Sequence, residues 1–173
     1  MTFSTADLTP DASVDDWTRF TQPGTSGEFV TAWFGVLCGR IAGLEKAVLL
    51  LQTNEGRFGT AARWPRDAPA SRPPEVATDT DADEDAEPDD TDALLASCNA
   101  AITSGAVDLR SSRQSRAMGF PMRVSGRVQA VLGLVLKDQK HVPPALRDLQ
   151  WGSGWLHGLL AEREADTEAA RSG

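Results

Sequence analysis

The sequence predicts an α+β domain: a central antiparallel sheet of five to six strands with helices packed on both sides. Residues 118–136 read as a hairpin, with Met118, Phe120, Met122 and Val124 alternating in the first arm and Val128, Ala130, Leu132, Leu134 and Leu136 in the second. A period of two marks a strand with one buried face. The other parity of the second arm, Gln129, Val131, Gly133 and Val135, is nearly as apolar, which places this strand inside a sheet covered on both faces. The helices rest on stripes of period 3.6 near both ends of the chain: Val30, Trp33, Phe34, Leu37 and Ile41 in one, Leu146, Leu149, Leu156 and Leu160 in the other.

In order along the chain, residues 1–25 are a flexible lead rich in Thr, Ser, Asp and Pro, with room for a short helix over Asp11–Phe20 capped by Asp11 or Ser13. The domain proper spans 26–168, and 169–173 is a tail. Its first helix covers Phe29–Leu44 and ends at Gly43; Phe29 and Val36 lie off the main stripe, which implies a second partner surface. Lys46–Gln52 is too uniformly apolar to be an edge strand. Asn54, Glu55 and Gly56 turn the chain into a second strand, Arg57–Trp64, stopped by Pro65. Residues 65–92 form a Pro-rich and acidic insertion with the pattern of neither helix nor strand. Asp92 caps a helix over Ala93–Ser104, whose buried face is Leu94, Leu95, Cys98, Ala101 and Ile102, and Gly105 ends it. Val107–Arg110 makes a short edge strand, and Ser111–Ala117 reads as a loop or one helical turn. In the hairpin, Ser125 and Gly126 are the two-residue turn. Pro143 and Pro144 open the last helix, which runs to about Glu168. Gly152, Gly154 and Gly158 each cost ~1 kcal/mol inside it relative to Ala, an expense that makes sense where another helix approaches closely.

The 173 residues carry a net charge of −8, but ten of the twenty-five acids lie between Glu75 and Asp92 without a single base, leaving fifteen acids against seventeen bases elsewhere. The acidic tract repels nucleic acid, and no basic face with interleaved aromatics is present, which sets nucleic-acid binding aside. Asp79, Asp81, Asp83 and Asp85 alternate as ligands do in a calcium loop, yet Glu84 stands where that loop requires Gly and Asp90 where it requires a bidentate Glu. No stretch is apolar for long enough to cross a bilayer, and the start of the chain lacks the basic and apolar regions of a signal peptide, so a cytoplasmic location without membrane insertion is expected. Cys38 and Cys98, both in helical sequence, read as reduced, buried thiols. Neither His141 nor His157 has a carboxylate or nucleophile at a diagnostic spacing, and no nucleophile elbow, P-loop or dinucleotide turn is present.

The late hairpin, Phe120, Pro121, Met122, Arg123, Val124, the turn, then Val128 to Leu136, resembles that of the GAF domain, in which a Pro, an aliphatic, a basic residue and a turn precede an apolar strand. One departure is Ala130, where many members place a Gly early in the last strand; here the Gly is at 133. The order of elements from about Glu28 to Glu164 is also GAF-like. The helices FVTAWFGVLCGRIAG and LRDLQWGSGWL look like those of GAF modules associated with HlyD-type membrane-fusion adaptors. The resemblance implies a regulatory module with no catalytic residues, cofactor or metal, which senses a small-molecule ligand, forms a homodimer and signals to an output or adaptor protein.

The resemblance also implies where the ligand sits: on the sheet face opposite the terminal helices, roofed by the central helix. By position, the lining falls to Trp64, Cys98, Ile102, Leu109, Met118, Phe120 and Met122. Arg110, Arg113 and Arg116 stand at the rim, where a guanidinium clamps a carboxylate or phosphate. The alternative is that the Met and Phe side chains are plain core and the arginines solvated. Trp33, Trp151, Trp155 and Leu159 are expected at an interface between two copies, where large aromatics concentrate binding energy; otherwise Trp33 is core and the other two tryptophans cover the edge of their own sheet. Two further functions stay open, a scaffold that dimerises without a ligand and a thiol redox enzyme using Cys98, similar to the free methionine sulfoxide reductases.

Overall fold

The computed structural model describes residues 26–53, 55–65 and 89–173. The expected helix over Asp11–Phe20, Asn54 and the insertion through residue 88, including most of the calcium-like spacing, lie outside the described residues. The described elements are α1 (Ser26–Arg40), β1 (Leu44–Gln52), β2 (Phe58–Trp64), α2 (Asp90–Ser104), β3 (Asp108–Ser112), β4 (Ser115–Val124), β5 (Arg127–Leu136) and α3 (Val142–Ser172), with a 3-10 turn at Gln139–His141 leading into α3. The strands form one open antiparallel sheet in the order β2-β1-β5-β4-β3. The α+β architecture is therefore present, with five strands among the described residues. Among the described residues no helix is long and apolar enough to cross a membrane.

Local chemistry sets the element ends. Ser125 and Gly126, at φ 50° and 82°, close the β4–β5 hairpin with Val124 opposite Arg127; positive φ at both central residues gives a turn whose twist matches that of the strands. Helix α1 ends at Arg40, earlier than the expected end at Gly43; Gly43 (φ 72°) lies in the turn just before β1, and Gly105 (φ 67°) caps α2, its N–H donating to the Ala101 carbonyl. Helix α2 starts three residues earlier than expected. Its N-cap is Asp89, whose carboxylate accepts from the Asp90 N–H at 2.8 Å, and Asp92 falls in the first turn, where a negative charge favours the helix dipole.

Between β3 and β4 the chain departs from the sequence reading. Residues 111–117 are neither loop nor helical turn: β3 runs to Ser112, Arg113 and Gln114 form a tight turn, and β4 begins at Ser115, paired with Ser112. The pairing of Ser111 with Arg116 and Arg110 with Ala117 supplies a backbone ladder that the polar side chains do not advertise.

The sheet is clad on both sides. On one face lie α1 and α3, packed over Ala47, Leu49, Met118, Met122, Val124, Ala130, Leu132, Leu134 and Leu136. On the other lies α2, with Leu94, Cys98 and Ala101 against Val131 and Val135. Strand β5 is thus buried on both faces, as its two apolar parities require. A bulge at Gln129, between the pairs Met122–Ala130 and Arg123–Val128, moves Val128 to the α2 side, so Val128 does not share a face with Ala130.

Glycine decides how closely α2 sits. Gly119 and Gly133 are cross-strand partners on β4 and β5. A Cβ on Gly119 would collide with the Ser97 carbonyl oxygen and come within 3.0 Å of Ala101, and one on Gly133 would come within 2.5 Å of the Cys98 sulfur. At these two positions the helix rests directly on strand backbone, with no strand side chain between, while Val131 and Val135 pack against it alongside.

Helices α1 and α3 are joined by Trp33, whose indole N–H donates to the Gly152 carbonyl at 2.9 Å, and by Leu37, whose Cδ1 would stand 2.8 Å from a Cβ on Gly152. Gly152 meets the expectation of a close helix neighbour. Gly154 and Gly158 do not, since nothing lies within 4 Å of a Cβ at either. The off-stripe Val36 is buried within the chain along with its neighbours from Ala32 to Cys38, so this helix leaves no second apolar face open there.

Candidate functional site

The seven apolar residues expected to line one pocket are divided between the two faces of the sheet. Met118, Met122, Trp64 and Phe120 belong to the cluster under α1 and α3, while Cys98 and Ile102 pack in the cluster under α2. Leu109 pairs with Met118 across the edge of the sheet and is exposed. Alternation separates the two faces of a strand but does not say which helix covers which, and the even parity of β4 goes to the terminal helices. Under α2, on the sheet face where the resemblance places a ligand, Ser97 and Cys98 lie directly against Gly119 and Gly133. One polar group is stranded there: the hydroxyl of fully buried Ser97 has no hydrogen-bond partner among the described residues.

The three rim arginines are likewise not brought together. Arg110 lies on β3 and pairs with Asp108 at 2.8 Å. Arg116, one residue off in register, points to the other face and meets the Ser111 hydroxyl. Arg113 occupies the exposed β3–β4 turn. Close by, the Ser112 hydroxyl donates to the Asp90 carboxylate, tying the start of α2 to the edge strand.

Neither thiol is placed for chemistry. Burial pushes the Cys98 thiol up to about 11 and raises that of Cys38 well above its ordinary range, so both are protonated at neutral pH. His141 is held by structure: its Nδ1 lies 2.7 Å from Asp138 Oδ1, and its ring covers Gly43 so closely that a Cβ there would be 2.5 Å away. Desolvation works against the charged form of Asp138, but the hydrogen bonds to His141 and Lys140 and the charges of both together outweigh it, so its carboxyl is held below the usual range. Among the described residues no three His, Cys, Asp or Glu side chains assemble as metal ligands.

Two open clefts flank the second half of α3. The larger, about 500 Å³, lies between α3, the β1–β2 connection at Thr53 and Gly56, and the β4–β5 turn at Ser125. Arg127, Arg163 and Arg171 line it together with Gln129, Thr167 and the acids Glu164 and Glu168. None of these three arginines makes an ion pair among the described residues, which leaves planar donors free for a carboxylate or phosphate. Arg163, Thr167 and Arg171 follow helical spacing and were legible as one face. Arg127 comes from 36 positions earlier, and only the hairpin turn brings it alongside. The second cleft, about 390 Å³, is lined by Val30, Leu51, Leu159 and Leu160 between α1 and α3.

The residues expected between copies also separate. Trp33 is 2% exposed and committed to its own core, and Leu159 packs against that core and lines the second cleft. Trp151 and Trp155, by contrast, are 48% and 53% exposed. The Arg40 guanidinium stacks over the Trp151 ring at 4.5 Å and also reaches Asp148 at 3.9 Å. Comparison with protein-family models, with curated proteins and with solved structures finds no match for this chain.

Proposed function

We propose that the chain is a non-catalytic regulatory module of the GAF kind, which binds a small anionic metabolite and pairs with a second copy through its final helix. The observation that carries this reading is the double use of α3. Its inner face, with Leu149, Leu156 and Leu160, is part of the core; its outer face bears Trp151 and Trp155; its last turns carry Arg163 and Arg171 into the larger cleft. A ligand that draws these arginines toward Arg127 acts on the same rigid rod that carries the tryptophans, and packed helices shift between discrete arrangements. The order of elements, with terminal helices on one side of the sheet and the central helix on the other, supports the resemblance behind the regulatory role.

Thermal denaturation against a panel of mononucleotides and di- and tricarboxylates tests the ligand. A binder at a hundredfold excess over its Kd adds about 2.7 kcal/mol, a shift of several degrees in Tm. Arg163→Gln combined with Arg171→Gln is expected to abolish that shift without lowering the Tm of the free protein. A panel without any hit, or a hit indifferent to both substitutions, removes the cleft from the reading.

The close contact between α2 and the sheet favours a second reading, a scaffold that dimerises without a ligand. The buried, protonated thiols count against the redox alternative.

A further inference from the structure

We infer that the outer face of α3 is a self-complementary surface on which a second copy of the chain docks antiparallel, about a twofold axis passing between Gly154 and Trp155. This deepens the pairing half of the proposed function and rests on it. Arg147, Trp151, Gly154, Trp155, Gly158 and Glu162 fall on one side of the helix, at the spacings of three and four residues that make one stripe. All six are exposed. The stripe combines two protruding indoles with two hollows, because a Cβ at Gly154 or Gly158 would meet nothing within 4 Å.

A twofold axis at that point places residue n of one copy opposite residue 309 minus n of the other, and an isologous interface must satisfy this rule at every position at once. Trp151 then lies over the hollow at the second copy's Gly158, and Trp155 over the hollow at its Gly154. Arg147 faces Glu162. Each pair matches a projection with a gap or a positive with a negative charge. A parallel pairing would instead set indole against indole and Arg147 against Arg147. The stacked Arg40 holds one face of Trp151 in place before docking, which reduces the entropy lost on association. The stripe from Arg147 to Glu162 spans only about 22 Å, at the small end of specific interfaces, so a reversible, concentration-dependent dimer is expected.

Sedimentation velocity of the whole chain across a concentration series tests this with two sets of variants. Gly154→Gln with Gly158→Gln fills both hollows on an open helix surface, where better helix formers replace glycine. The expected result is a Tm at least as high as that of the parent and a dimer weakened by about tenfold or more. Arg147→Glu alone is expected to weaken the dimer about threefold to tenfold, and Arg147→Glu with Glu162→Arg to restore it. These two residues lie too far apart on one helix to touch, so coupling between them is necessarily intermolecular. A dimer that survives the two glutamines, or charge reversals that do not couple, overturns the antiparallel docking while leaving pairing in place. A chain that stays monomeric at every concentration overturns both.

Discussion

Small side chains fix the two helix contacts, and two of them predict opposite outcomes at one interface. Gly133→Ala would drive a methyl into the Cys98 sulfur, Leu94 and Val48, a strained overpacking worth about 1–3 kcal/mol of destabilisation. Ser97→Ala, a few ångströms away, removes the stranded buried hydroxyl and is expected to stabilise by up to about 1 kcal/mol. Urea denaturation of both variants reads the two signs. On α3, Gly152→Ala meets Leu37 and should destabilise, whereas Gly158→Ala in dilute protein should stabilise by about 0.5–1 kcal/mol, since nothing opposes the gain in helix propensity. The thiols give a pH test. With the Cys98 thiol raised to about 11 by burial, the folded protein is favoured fully below the ordinary thiol value of 9.0 and loses that contribution as the pH rises through this window. Labelling with a thiol reagent at pH 7.5 should be negligible until denaturant is added; labelling of the folded chain would revive the redox alternative.

At the scale of the element, the sequence was legible wherever a single residue type dictates backbone geometry. Ser125 with Gly126, and Gly105, each mark an element end that the structure places at the same position, whereas α1 ends at Arg40, three residues before the Gly43 expected to end it. The two-residue turn at Arg113 and Gln114 escaped because neither residue is a turn former, and the bulge at Gln129 because nothing in an apolar strand announces an extra residue. The cap of α2 was misplaced within a run of acids that all suit the position; the backbone selects Asp89 by its extended φ and ψ of −60° and 154°. Asp89→Ala should therefore cost about 1 kcal/mol, and Asp92→Ala much less, in a comparison of thermal stabilities. The cross-strand glycine pair had a visible signal, two glycines inside otherwise apolar strands, which is the mark of close backbone approach.

At the scale of the whole molecule, the layer order was legible but the assignment of faces was not. Periodicity says that Met118, Phe120 and Met122 share a side, but it does not carry the placement of the helices, which puts this side against α1 and α3. The arginine cleft is the clearest case of what sequence withholds, because Arg127 and Arg171 are distant in the chain and line one cleft through the fold alone.

The glycine contact beneath α2 carries one more consequence. With helix and strand backbones touching directly, sliding the helix by even a fraction of a turn would jam carbonyls against the pleat. This half of the molecule is expected to act as a fixed anvil, and shifts of a helix are easier in the opposite layer, where α3 leans on leucine side chains and is tethered by the Trp33 indole and by Arg40.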